Sequence, residues 1–120
     1  MAKVIYTCFC REFNRNKQTG LYSFVGRFVD LAYTTTPIVF VVYWQPNVAE
    51  TFRQFFTLVD EVGHLLDETP TSECVLKKQQ ENISTAIFYT IFPRAGRYHI
   101  RIHQDGVCTD IVPIQVNGPW

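Results

Sequence analysis

The sequence predicts an all-β protein, a sandwich of about seven to eight mostly antiparallel strands, and three observations predict it. Residues 96–104 alternate polar and apolar, turn at Asp105-Gly106, and return through residues 107–116 with the same period. Period-two alternation joined by Asp-Gly marks a hairpin, because a type I′ turn needs positive φ at both central residues and its twist matches the flanking strands. Residues 37–44 are continuously apolar and β-branched, the pattern of a strand covered on both faces. Turn-forming clusters separate the remaining apolar runs at intervals of about 8–12 residues.

The hairpin also implies a register. With Asp105 and Gly106 as the loop, Gln104 faces Val107, His103 faces Cys108, Ile102 faces Thr109, Arg101 faces Asp110 and Ile100 faces Ile111. One side of the ribbon is then apolar, with Tyr98, Ile100, Ile102 and Ile111. The other carries His99, Arg101, His103 and Asp110, as on a sheet with one wet face.

The remaining elements follow in order. Residues 3–11 read as a strand with both faces half-buried. The polar stretch from Asn14 to Gly20 reads as a turn, and residues 21–29 as a second strand interrupted by Gly26, where a bulge or close backbone approach is expected. Residues 50–66 fit two periods. Phe52, Phe55, Phe56, Val59 and Leu66 make a helical stripe, whereas Phe52, Gln54, Phe56 and Leu58 make a strand ending in the turn Asp60-Glu61-Val62-Gly63. The strand gives Gly63 a reason, since turns use positive φ and a mid-helix glycine costs about 1 kcal/mol against alanine. Residues 73–78 read as a short edge strand, and residues 82–92 as a well-covered one that ends at the corner Pro93-Arg94-Ala95-Gly96.

Length and composition bound the function. A chain of 120 residues suits one domain, and 47% hydrophobic with 15% aromatic residues is enough for a core without metal or disulfide staples. Eleven basic residues balance eleven acidic ones, so the field that draws a protein to nucleic acid or anionic lipid is missing as a net term. The same balance weakens repulsion between copies and leaves a homo-oligomer and a monomer equally open. No apolar run approaches the roughly 18 residues that span a bilayer, and the first residues lack a signal-peptide core, so a cytoplasmic protein without membrane contact is expected.

The motif order resembles an uncharacterised family of small bacterial immunoglobulin-like β-sandwich proteins. The matching stretches are residues 3–11, 21–28 and 37–44, the turn Val59-Asp60-Glu61-Val62-Gly63, the corner Phe92-Pro93-Arg94-Ala95-Gly96-Arg97-Tyr98, and Asp105-Gly106. The likeness covers most of the chain and implies the fold, with no activity to carry over. One departure is the link Pro46-Asn47-Val48-Ala49, which has no glycine where many sandwiches turn tightly.

No phosphate-cradling glycine loop, serine elbow or paired carboxylates at catalytic spacing occur. Cys8 and Cys10 share a strand face about 6.5–7 Å apart, but Cys74 and Cys108 stand alone, unlike the closely spaced pairs of structural zinc sites. His103 opposite Cys108 is the candidate start of a metal site or a nucleophile pair. The sequence shows no third orienting group and no oxyanion hole. His99 lies about 13 Å from His103 along a strand, too far to share one ion. Lys77, Lys78, Arg94, Arg97 and Arg101 fit a solvated surface, and Asp60/Glu61 and Asp67/Glu68 fit turns better than a calcium loop.

Surplus apolar residues on strands that should have a wet face are the other signal. Phe55 beside Phe56 must point outward on a strand, and Tyr22, Phe24 and Phe28 crowd the second strand. The expectation is a non-enzymatic protein–protein interaction module without cofactor. It presents a sheet face or edge strand to a protein partner or to another copy of itself. The competing expectation is a small-ligand- or zinc-binding sandwich using the His99/His103/Cys108 face.

Overall fold

The computed structural model describes residues 1–19, 22–25, 31–32 and 37–118. Among the described residues there are eleven strands and no helix. Nine of them form two sheets, and two form a separate ribbon, against the seven to eight the sequence suggested.

One sheet holds β1 (Val4–Cys10), β5 (Ile38–Trp44) and β9 (Asn82–Phe88) in the order β1-β5-β9, all antiparallel. The ribbon pairs β2 (Glu12–Arg15) with β3 (Tyr22–Val25). The stretch read as a polar turn from Asn14 thus begins inside a strand.

The second sheet is built around β6 (Glu50–Asp60), β10 (Gly96–Gln104) and β11 (Val107–Asn117). The short β4 (Leu31–Ala32) lies parallel to β11. β10 lies along one edge of β6, while β7 (Leu65–Glu68) and β8 (Ser72–Leu76) follow one another along the opposite edge. Pro70 interrupts that edge because it has no amide hydrogen to donate. Thr69 repairs the gap. Its amide donates to the Phe56 carbonyl, and its hydroxyl accepts from the Phe56 amide, both at 2.9 Å.

The two sheets are joined by one core. Phe9, Ile38, Phe40, Trp44 and Phe88 from the first meet Phe52, Phe56, Leu58, Tyr98, Ile100 and Ile102 from the second. Trp44 packs edge-on against Phe52 with centroids 5.1 Å apart, and Phe40 against Phe56 at 5.9 Å. Such pairs add about 0.5–1.5 kcal/mol beyond area burial. The Trp44 indole donates to the Ser84 hydroxyl at 2.8 Å, so its buried polar atom is satisfied.

The continuously apolar β5 is covered on both faces, as its sequence required. Val39 and Val41 face away from the main core and cluster with Cys8 and Cys10, and Phe13 of β2 packs on that cluster. The ribbon therefore supplies part of a third layer.

Residues 50–60 are strand throughout, and the turn after them needs Gly63, whose φ is +94°. The Asp60 carboxylate accepts from the Val62 and His64 amides and closes that turn. At the other hairpin, Asp105 and Gly106 have φ of 49° and 82°, the expected type I′ signs. Asp105 also extends the β6–β10 ladder, accepting from the Arg53 amide through its carboxylate and donating its own amide to the Arg53 carbonyl.

The register holds only next to that turn. Gln104 pairs with Val107 and His103 with Cys108. A shift then places Ile102 opposite Asp110, Arg101 opposite Ile111, and Ile100 opposite Val112. Thr109 is the extra residue. Its hydroxyl accepts from the Gln104 amide group at 3.0 Å and donates to the Ile102 carbonyl at 3.4 Å. The bulge moves Ile111 out of the core to the outer face, where it is 59% exposed. Ile114 and Val116 are buried in the core, and Val112 packs against it.

Candidate functional site

The outer face of the second sheet gathers the residues singled out from sequence. Register places Val59, Thr57 and Phe55 of β6 beside His99, Arg101 and His103 of β10. Phe55 does point outward. However, the His103 ring stacks on it with centroids 4.1 Å apart and planes 5° from parallel, leaving it only half-exposed. The His103 Nε2 shares a 3.1 Å hydrogen bond with the Thr57 hydroxyl. Burial holds the imidazole below its ordinary pKa, and the Arg101 charge adds to this against a smaller opposing effect of Glu68. The ring is thus neutral near pH 7 and serves as a lid on Phe55.

Cys108 lies opposite His103 across the hairpin, as expected, but it is exposed and its Sγ is 3.6 Å from the Asp110 carbonyl. Among the described residues no three His, Cys, Asp or Glu side chains converge as metal ligands. His103 is bonded to Thr57 and the Cys108 thiol to the Asp110 carbonyl, and among the described residues no hydrogen bond joins the two side chains. Tyr22 and Phe24 lie on β3, but their side chains, with all of Phe28, fall outside the described residues.

All four cysteines are free thiols, three of them buried. Burial pushes Cys8 up to about 11, helped by the proximity of Cys10. Cys10 is raised by burial, and Cys74 by burial against an opposing hydrogen bond with Ser84. Thiols in this state are poor nucleophiles.

A second surface was not found from sequence. Among the described residues β9 pairs along one edge, with β5, and β8 along one edge, with β6. These two strands are consecutive, yet they belong to opposite sheets. Asn82 holds their turn together: its side-chain oxygen accepts from the Lys77 amide, and its NH2 donates to the Lys77 and Gln45 carbonyls. Beyond Asn82 the two open edges flank a cleft of about 380 Å³. At its base the Cys74 thiol and Ser84 hydroxyl are 3.3 Å apart. Gln54, only 8% exposed, lines the cleft, and its Oε1 is buried without a hydrogen-bond partner. Glu81 and Glu73 are among its lining residues, Glu73 lying opposite Arg53 in the β6–β8 ladder. A neighbouring hollow of about 370 Å³, sharing Thr85, is lined by Phe56, Pro70, Ala86 and Ile87.

The segment running off this edge carries Ile87, Tyr89 and Ile91 at 50%, 68% and 79% exposure, while Phe88 and Phe92 between them are buried. Residues 82–92 were expected to be well covered. The structure shows instead a strand that ends at Phe88, whose outward side chains go from Ile83, packed on the Cys8 and Val41 cluster, to Ile87, half in solvent. The period-two pattern shows that such a segment has two faces; only the assembled sheet shows that the outer one is covered at Ile83 and exposed from Ile87 onward.

No protein-family model matches the chain, and no curated protein sequence is similar to it at a significant level. Among the described residues no helix is long and apolar enough to cross a membrane.

Proposed function

We propose that this protein is a non-enzymatic protein–protein interaction module that engages a partner through the open edge of β9. The observation that carries the reading is the row Ile87, Tyr89 and Ile91, exposed beside a strand edge that has no partner among the described residues. Exposed apolar edges are liabilities that proteins usually blunt with charge, proline or a covering loop. Adding a strand is a recurrent way of using one, with main-chain hydrogen bonds giving affinity and alternate side chains giving specificity. The sheet face around Phe55 is the weaker surface, because His103 already covers the ring.

We read the sandwich as immunoglobulin-like. Support comes from the order β1-β5-β9 against β11-β10-β6-β7, and from the Tyr98 hydroxyl, which donates to the Arg94 carbonyl at 2.6 Å across the corner into β10. Four free thiols, with none paired, suit a reducing compartment such as the cytoplasm.

Panning a random peptide library on the immobilised full chain tests the function. Peptides should be enriched on the native protein and not on an Ile87→Lys variant, whose charge stands on the same edge. Absence of enrichment over a blank surface would contradict the reading. A second copy of the chain as the occupant would show as a concentration-dependent dimer in light scattering.

A further inference from the structure

We infer that the partner at the open edge of β9 is a second copy of this chain, the two β9 strands pairing antiparallel about a two-fold axis at Ile87. The inference rests on the interaction reading above and names its partner.

Three observations favour a second copy. The first is charge. Residues 82–92 contain no charged side chain, and the hollow beside Thr85, Ala86 and Ile87 is lined by uncharged residues alone. Such an edge offers a charged segment no ion partner, whereas a copy of itself brings no like charge against it. Eleven basic and eleven acidic residues likewise leave no net repulsion between whole copies.

The second is the overhang beyond the strand. Past Phe88 the chain keeps its period-two burial, with Tyr89 and Ile91 exposed and Phe92 buried, as an extended segment does. The β5 ladder reaches only as far as Phe88, and among the described residues no ladder takes in residues 89–91. An antiparallel copy lays its residues 83–85 along that stretch and continues the sheet.

The third is register. A two-fold pair needs a surface complementary to itself. With Ile87 opposite its own counterpart, Thr85 of one copy faces Tyr89 of the other, and Ile83 faces Ile91. All of these stand on the outer face of the sheet, so each exposed apolar side chain gains an uncharged neighbour. Ile91, set over Ile83, extends the cluster of Cys8 and Val41 on which Ile83 packs. Sliding the pair by one step either way sets Ile91 against the charge of Glu81, or Ile83 against Pro93, which has no amide hydrogen to donate. The central register avoids both, and it joins the three-stranded sheets of the two copies into one.

Sedimentation velocity of the full chain over a range of concentrations is the test. The mass should rise toward twice that of the monomer and no further. Ile87→Lys sets two like charges opposite each other on the axis, and Ile87→Glu does the same with the other sign. Each variant alone should dissociate roughly tenfold or more readily, since apolar burial is lost from both copies as well. An equimolar mixture of the two should restore the dimer. Ile91→Lys, at the most exposed of the three positions, should weaken the dimer too and checks the result at a second site. A chain that stays monomeric throughout, while peptides selected on it still protect β9, would overturn self-pairing and leave strand addition standing. A monomer that captures no peptide would count against both. A dimer indifferent to Ile87→Lys, or not restored by mixing, would put the contact elsewhere and overturn the inference. Growth beyond two copies, the mark of head-to-tail pairing of β9 onto β1, would also overturn it.

Discussion

Tyr98 joins the core to a turn through one side chain. Its ring packs edge-on against Phe92 at 4.9 Å, and its hydroxyl donates to the Arg94 carbonyl. Tyr98→Phe keeps the packing and removes the bond, so it should cost about 1 kcal/mol, seen as a lower urea midpoint with unchanged slope. His103 yields a pH dependence. Its native pKa lies below the ordinary 6.5, so the unfolded chain takes up the proton first as pH falls. Its contribution is therefore present above about pH 6.5 and is lost as pH drops toward the native value. Urea stability should decline from pH 7.5 to 5.5, and His103→Gln should flatten that decline. Asp60 acts in a separate, more acidic window. Slight burial opposes ionisation, but hydrogen bonds from the His64 and Val62 amides and the nearby His64 ring outweigh it, holding the carboxyl below 3.8. Its contribution is lost only as pH falls through that lowered value. The thiols make a third test: native protein should react with one equivalent of Ellman's reagent, at Cys108, and denatured protein with four.

At the scale of single elements, much was legible because the deciding interactions are local. The Asp105-Gly106 turn, the strand over residues 50–60 and the Gly63 turn each follow from positive φ or period two, and all three are present. The hairpin register was legible only as far as Cys108. Nothing in the period of residues 107–116 reveals that Thr109 will satisfy the Gln104 side chain and the Ile102 carbonyl instead of taking its place in the ladder. That one residue turns Ile111 outward and separates Arg101 from Asp110. Pro70 accounts for the break between β7 and β8, but its repair by Thr69 depends on the Phe56 backbone across the ladder, which local sequence does not reveal. Thr69→Val removes the acceptor for the Phe56 amide and should destabilise by about 1–3 kcal/mol, whereas Thr69→Ser, which retains the hydroxyl, should lose distinctly less in the same urea titration.

For the whole molecule, the alternation of β6, β9 and β10 states which side chains face a core, and the two facing layers follow from it. Which strands stand at the edges is set by sheet order, a product of long-range pairing that local periodicity does not carry. The sheet face bearing Phe55, His103 and Cys108 was therefore visible in the hairpin, while the open edge of β9 and the cleft beside it were not. For the same reason residues 82–92 read as a well-covered strand although Ile87, Tyr89 and Ile91 are exposed. Because Ile87 is half in solvent, Ile87→Lys should change stability by no more than about 0.5 kcal/mol while abolishing peptide capture, which separates a binding residue from a packing one. Amide hydrogen exchange, followed by NMR with and without a peptide selected on the native chain, tests strand addition most directly. The account predicts slowed exchange along residues 83–88 of β9, with the β10–β11 amides unchanged; protection confined to β10 and β11, or none on β9, would contradict it.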